Sequence, residues 1–143
     1  MIKNARKIIN SKVYESETGK YLGKISDIAF SDGELKGYYM SGDSIVPLLS
    51  WIFPSAVTSY KKGKIFVSGV SHPQYDGITF KKNISRCDFI SGRQKIGIGK
   101  DMLFDFETGE IEGFLYSENI FRKPNYLDIN KIAINGKNIT VKN

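Results

Sequence analysis

The acidic side chains that could do chemistry in this chain form a matched pair. Asp27 lies four residues after Gly23, and Asp101 lies four residues after Gly97. Two carboxylates can bind a metal ion or share an acid/base step only when the fold brings them together. Each of these aspartates sits in its own copy of a repeated pattern, so we expect each to accept hydrogen bonds from backbone amides nearby. The spacing therefore predicts two structural carboxylates that bind no metal.

Other reactive side chains are few. The single cysteine, Cys87, and the single histidine, His72, can form neither a disulfide nor a zinc site of several Cys and His ligands. The acidic turn "DFETGE" at 105–110 lacks the frame of a calcium loop. The stretch "KIGIGKD" at 95–101 lacks the spacing of a phosphate-binding loop, and its second lysine is followed by an aspartate and a strand. We therefore predict no catalytic residue, no cofactor and no enzyme.

Composition narrows the class of protein further. The chain has 143 residues, of which 41% are hydrophobic, and a net charge of +6. This content suffices for a packed core. The sequence has no apolar run of the about 20 residues that a membrane-spanning helix needs, and no secretory signal, so we expect a cytoplasmic protein. Its adjacent basic pairs are far apart, whereas nucleic-acid faces usually cluster their cations.

The elements that must position the aspartates appear twice. "LGKISDIAF" at 22–30 precedes "GELKGYYM" at 33–40, and "IGIGKDMLF" at 96–104 precedes "GEIEGFLY" at 109–116. Alternating apolar residues predict a strand in the first phrase of each pair. An Asp-Gly turn in one copy and a longer acidic turn in the other predict a reversal. Each copy is thus expected to contain a hairpin whose second strand is rich in apolar residues.

Each copy is predicted to hold about five short strands and one helical turn. We expect a first repeat over residues 1–69, a linker over 70–79 and a second repeat over 80–143. So small a sheet leaves vulnerable edges unless it curls and closes, and glycines inside the strands allow sharp curvature. The predicted fold class is mainly β, with two tandem small β-barrels related by internal duplication.

These repeats resemble the PRC-barrel family, which takes its name from the photosynthetic reaction-centre H subunit. "GKYLGKISD" at 19–27, with the hairpin that follows, is similar to the family pattern, and the chain from Gly97 onward matches it again. The resemblance implies a small β-barrel used as an adaptor, with no family catalytic residues. It assigns a structural signature to Gly23, Asp27, Gly37, Gly97, Asp101 and Gly113.

One segment is a candidate contact surface. "PLLSWIFP" at 47–54 holds more large apolar side chains than one short barrel segment can easily point inward. Exposed aromatic residues in a contiguous patch mark partner sites. Leu49, Trp51, Ile52 and Phe53 are therefore candidates for partner binding. The alternative is that this segment plugs a barrel end or seals the two repeats.

Two functions follow from these observations. The leading prediction is a non-enzymatic adaptor that binds another protein of unknown identity, or a second copy of itself. The alternative is a module that binds RNA or a ribonucleoprotein, because the resemblance extends to the barrel of a ribosome-maturation factor. A continuous basic stripe would favour RNA, whereas scattered lysines around an apolar patch would favour a protein partner.

Overall fold

The computed structural model describes residues 2–31, 33–42, 49–72, 78–119, 121–135 and 138–142. The chain is mainly β-strand with two small α-helices, as the sequence predicts for its fold class. The elements, in chain order, are β1 (Ile2–Asn4), α1 (Ala5–Ile8), β2 (Lys12–Glu15), β3 (Tyr21–Ser31), β4 (Glu34–Ser41), β5 (Leu49–Ile52), β6 (Val57–Lys61), β7 (Lys64–Val67), β8 (Thr79–Phe80), α2 (Lys81–Ile84), β9 (Asp88–Ser91), β10 (Gln94–Asp105), β11 (Ile111–Ser117), β12 (Asn125–Asp128), β13 (Ile132–Asn135) and β14 (Asn138–Val141).

The strands form two sheets of seven. One follows the order β5-β4-β3-β2-β7-β6, with β8 also paired to β3. The other follows the order β12-β11-β10-β9-β14-β13, with β1 also paired to β10. In each sheet the third and fourth strands of the path run antiparallel, and the fourth and fifth run parallel. The two sheets therefore have the same strand order.

Neither path closes on itself within the described ranges. The closed barrels that the sequence predicts are thus not found, and each sheet has two end strands, β5 and β6 in one and β12 and β13 in the other. Short 3-10 turns at Pro54–Ala56 and Ile129–Lys131 follow β5 and β12. They lie inside Pro54–Tyr60 and Pro124–Ile132, where proline followed by small or polar residues predicts a helical turn.

The chain divides into two compact units. One comprises Arg6–Phe80, and the other comprises the residues up to Ala5 together with those from Lys81 onward. The first strand of the chain, β1, thus belongs to the unit that contains β9–β14, where Ile2–Asn4 pair with Leu103–Asp105. Conversely, β8 ends the unit that contains β2–β7 and pairs with Ala29 and Phe30. The predicted linker over 70–79 therefore includes part of a strand, and its residues 73–77 lie outside the described ranges.

Each unit has its own apolar core. Each central hairpin contains two equivalent β-bulges: the first adds Ser26 to β3 and Lys100 to β10, and the second adds Lys36 to β4 and Glu112 to β11. A bulge changes which face the following side chains point to. The four residues that follow the first bulge of β3, Asp27–Phe30, are all buried, so this strand is buried on both faces there. The largest fully buried side chains are Ile8, Ile25, Ile28, Phe30, Tyr38, Trp51, Ile52 and Ile65 in one unit and Ile84, Phe89, Phe104 and Phe114 in the other.

Candidate interaction surface

The paired aspartates occupy equivalent positions directly after the first bulge of β3 and β10. Asp27 and Asp101 are both buried. The backbone N–H of Ile28 donates to Asp27 Oδ1 at 2.8 Å, and that of Met102 donates to Asp101 Oδ1 at 2.8 Å. A carboxylate in this position holds the irregular backbone of the bulge by a charge-assisted hydrogen bond. The geometry therefore supports a structural role for each aspartate within its own unit.

The signature glycines lie where backbone strands approach closely. A methyl group on Gly97 would lie 2.6 Å from the carbonyl oxygen of Ser117, and one on Gly23 would collide with the carbonyl oxygen of Ser41. These two contacts are equivalent in the two sheets, because Lys24 pairs with Ser41 and Ile98 with Ser117. The glycine-to-aspartate spacing is thus explained by packing of the backbone.

Gly37 and Gly113 both lie against aromatic rings, and Gly113 also lies against the carbonyl oxygen of Leu127. The indole of Trp51 lies against Gly37, and the ring of Tyr126 lies against Gly113, so that a methyl group on either glycine would meet the ring. An aromatic side chain over a strand glycine replaces the contacts that the missing side chain would make. Both glycines are therefore needed for close approach across the sheet.

The predicted apolar contact segment is largely internal. Trp51 and Ile52 are 1% and 0% exposed, and Phe53 is 37% exposed. The Trp51 ring packs edge-on against Phe53, with ring centroids 6.3 Å apart. The side chain of Leu49 and residues 47–48 lie outside the described part of the chain. Among the predicted contact residues with a described side chain, Phe53 is thus the one that a partner could touch.

The outer edge of β5 is also covered. The Trp51 N–H donates to the Ser71 carbonyl at 2.9 Å, and the Ser71 N–H donates to the Trp51 carbonyl at 2.7 Å. This pair is an isolated antiparallel bridge from a segment that the sequence assigns to the linker. The chain therefore pairs its own residue with the edge of this sheet.

At the equivalent register position, the second sheet has an exposed aromatic residue instead of a buried one. Asp27, Tyr39 and Trp51 form a row across β3, β4 and β5, and the matching row in the other sheet ends at Tyr126 on β12. The Tyr126 hydroxyl donates to the backbone carbonyl of Glu112 at 2.9 Å, yet its side chain is 49% exposed. The second sheet therefore has a half-exposed tyrosine at this position, whereas the first sheet has a buried tryptophan.

Phe121, which precedes β12, is the most exposed of the large apolar residues described, at 92%. Its backbone N–H donates to Asn119 Oδ1 at 2.9 Å, and the buried Ser117 hydroxyl donates to the carbonyl of Arg122 at 3.1 Å. Arg122 also forms an ion pair with Glu118 at 3.7 Å. Local hydrogen bonds therefore order the backbone at Phe121 and Arg122, and the Phe121 side chain is exposed.

Sequence reasoning missed this surface because the stretch "NIFRKPNY" at 119–126 has fewer apolar residues than its counterpart around Trp51. The spacing between glycine and aromatic residue does indicate that Tyr126 is the counterpart of Trp51, because Tyr126 lies 13 residues after Gly113 and Trp51 lies 14 residues after Gly37. That near match aligns the two aromatic residues. It does not reveal their different exposure.

The remaining reactive groups are a thiol, a turn carboxylate and an imidazole. Burial, and secondarily the carboxylate of Asp88, raise the pKa of the Cys87 thiol, whose Sγ lies 2.9 Å from the carbonyl oxygen of Asn83. Hydrogen bonds from the backbone of Thr108 and Glu107 lower the pKa of Asp105. His72 is exposed. Among the described residues no group of three or more His, Cys, Asp or Glu side chains could hold a metal ion.

Comparison with models of known protein families finds no match to this chain, and a comparison with curated proteins also finds none. No helix in the described ranges is both long and apolar enough to cross a membrane.

Proposed function

We propose that this protein is a non-enzymatic, cytoplasmic adaptor of the PRC-barrel type that binds another protein. Two observations support the family proposal: the two sheets share one strand order, and the glycine and aspartate signature lies at equivalent positions in both. Both are expected if an ancestral unit of this kind was duplicated. An adaptor needs a stable frame and an exposed contact surface, and it needs no reactive group.

The observation that carries the proposal is the exposure of Phe121. A fully solvated phenylalanine leaves its apolar area in water, and burial of an aromatic side chain is a main source of binding energy at interfaces. Local hydrogen bonds already order its backbone, so less conformational entropy is lost on binding. With Tyr126 five residues later, this part of the chain offers two accessible aromatic side chains.

The test is capture of a partner by the immobilised full-length protein, followed by affinity measurement with that purified partner. Phe121→Ala is expected to weaken the complex more than tenfold, as expected for an interface hot spot of about 2 kcal/mol. Ile98→Ala is the matched control, because Ile98 is an exposed apolar residue, at 38%, that lies away from this turn, on β10. Equal affinities of wild type and Phe121→Ala would contradict the proposal that the partner contacts Phe121.

An RNA-binding function is the second candidate, and one feature of the same stretch favours it. Phe121 is followed directly by Arg122 and Lys123, both exposed. Aromatic residues beside cations can stack on bases while the cations contact phosphates. Fluorescence anisotropy with a labelled single-stranded RNA at low and high salt tests this function. Binding that falls with added salt and is weakened by Phe121→Ala would favour RNA over a protein partner.

A further inference from the structure

Four lysines form a row across one face of the neighbouring strands β3, β2, β7 and β6. Lys12 pairs directly with Lys24 on one side and with Lys64 on the other, and Lys64 in turn pairs with Lys61. Directly paired residues of neighbouring strands project on the same face of a sheet. All four side chains are exposed, whereas Val13, next to Lys12 in β2, is fully buried. This lysine row therefore lies on the face of the sheet that is turned away from the core of its unit.

A row of like charges destabilises a sheet that has no ligand. Neighbouring strands are about 4.8 Å apart, so the lysine row holds one positive charge per strand over roughly 14 Å. Like charges directly opposite each other on neighbouring strands repel. Lysines on an edge strand can prevent aggregation, and this explains Lys61 on the end strand β6. Lys12 and Lys24 lie on strands inside the sheet, so protection of an edge does not explain them.

The other unit shows that the fold does not require the lysine row. Its sheet has the same strand order, and the equivalent positions on β10, β9, β14 and β13 are paired in the same way. These positions are occupied by Ile98, Asp88, Asn138 and Asn135. They include one acidic residue and no basic residue. The row is therefore a property of one unit and does not follow from the fold that both units share.

No side chain of the lysine row forms an ion pair with another residue that the structure describes. The described acidic residues of this unit lie elsewhere. Glu34 pairs with Lys36 at 3.6 Å, and Asp27 is buried. Glu15 and Glu17 lie at the opposite end of β2 from Lys12 and in the turn that follows β2. Three further aspartates lie outside the described ranges: Asp32, Asp43 and Asp76.

Aromatic rings border the lysine row on the same face. Tyr14 and Phe66 follow Lys12 and Lys64 by two residues, and their rings stack with centroids 5.6 Å apart. Tyr21 packs edge-on against Tyr14, also at 5.6 Å, and the Lys64 Nζ lies 5.9 Å from the centroid of the Tyr14 ring. The three rings are half-buried, so part of each is open to a ligand. The equivalent positions of the other unit hold no aromatic residue: Ile90, Thr140 and Lys95.

We propose that this face of the unit Arg6–Phe80 binds single-stranded nucleic acid, with phosphates along the lysine row and bases against Tyr14 and Phe66. A chain of phosphates can contact all the lysines of the row at once and remove their mutual repulsion. Rings beside cations favour an unpaired strand, because its base faces are open to stacking. This function goes beyond the adaptor function and does not depend on it. The site is also distinct from the RNA candidate at Phe121, which belongs to the other unit.

The test uses a fluorescein-labelled oligouridylate of about 12 nucleotides, a length that one such surface can contact, with the full-length protein. We expect a saturable rise in anisotropy and an affinity that falls with added salt. Lys12→Gln combined with Lys64→Gln should weaken binding at least about tenfold at low salt and reduce the slope of log affinity against log salt by about 1.4. The matched control, Lys131→Gln combined with Lys142→Gln, removes two exposed cations from the other unit and should bind as wild type.

The aromatic contact has a separate test. Phe66→Leu should weaken oligouridylate binding about fivefold or more without changing the salt slope, because base stacking is lost while the phosphate contacts remain. Heparin, a polyanion without bases, should bind wild type and Phe66→Leu equally. The lysine variants keep the proposal falsifiable if Phe66→Leu fails to fold. An oligothymidylate of the same length distinguishes the two nucleic acids, because tighter binding of the RNA would assign contacts to its 2′-hydroxyl groups and equal binding would assign phosphates and bases alone.

Three outcomes would overturn the proposal. The first is the absence of saturable binding. The second is an equal loss of affinity in the two double-lysine variants, which would show that only the net charge of the chain matters. The third is a folded Phe66→Leu that binds oligouridylate as wild type does, which would show a surface for polyanions without base contacts. Loss of RNA binding in Phe121→Ala, with full binding in the Lys12 and Lys64 variant, would place the RNA site on the other unit instead.

Discussion

Trp51 and Tyr126 occupy the same register position in two sheets of the same strand order, and each ring lies against a strand glycine. Trp51 is 1% exposed and Tyr126 is 49% exposed. The difference follows from what surrounds each ring. The Trp51 ring packs against Phe53, two residues later, and its backbone pairs with Ser71. Two residues after Tyr126 lies the half-buried Asp128, which offers no such ring. The aromatic side chain at this register position therefore lies in the core of one unit and at the surface of the other.

Truncation of these two rings should have unequal effects on stability. Trp51→Ala removes the largest fully buried side chain and is expected to lower the free energy of unfolding by about 3–5 kcal/mol. Tyr126→Ala should cost clearly less, because half of that side chain is already in water. Chemical denaturation followed by circular dichroism measures both. Near-equal losses would show that exposure does not distinguish the two positions.

Gly37 should not tolerate a methyl group. Gly37→Ala forces the indole of Trp51 to move, and overpacking of this kind costs roughly 1–3 kcal/mol. Gly69→Ala is the matched control, because no atom lies within 4 Å of the added methyl group. Trp51 is the only tryptophan, so its fluorescence reports the change directly. We expect a shifted emission maximum in Gly37→Ala alone, and an unshifted spectrum in both variants would contradict the close packing.

The two bulge aspartates should contribute stability without metal. Asp27→Ala and Asp101→Ala each leave a buried backbone N–H without its carboxylate acceptor, which should cost about 1–3 kcal/mol. Asp27→Asn keeps an oxygen at the same place and is expected to cost less. Thermal unfolding with and without a chelator checks the absence of metal. A divalent cation that stabilises wild type and fails to stabilise Asp27→Ala would mean that the carboxylate is a metal ligand.

Cys87 should make stability fall at alkaline pH. Burial raises the pKa of its thiol in the folded chain above the ordinary value of 9.0. The folded state then holds the proton more tightly than the unfolded state, so this contribution is complete below pH 9.0 and is lost as pH rises through the raised pKa. The free energy of unfolding of wild type, relative to Cys87→Ala, should decline over that range. A difference that is constant with pH would show that the thiol does not titrate differently on unfolding.

Several features of the fold follow from local sequence. The spacing from Gly23 to Asp27 matches the spacing from Gly97 to Asp101 and indicates equivalent strands. In each strand the glycine allows a close approach of the backbone, and the aspartate after the bulge accepts a hydrogen bond from the next backbone N–H. The hairpins of β3 with β4 and of β10 with β11 follow from strand alternation and intervening turns, which are short-range signals. The mainly β fold class was predictable for this reason.

Other features depend on contacts between residues far apart in sequence. The pairing of Ile2–Asn4 with Leu103–Asp105 joins segments about a hundred residues apart, and no local pattern specifies such a partner. The bridge from Ser71 to Trp51 likewise places part of a predicted linker on a sheet edge. Side-chain exposure is set by these nonlocal neighbours. Sequence alone therefore located the apolar segment around Trp51, and only the tertiary structure decided that Trp51 is buried while Phe121 and Tyr126 face solvent.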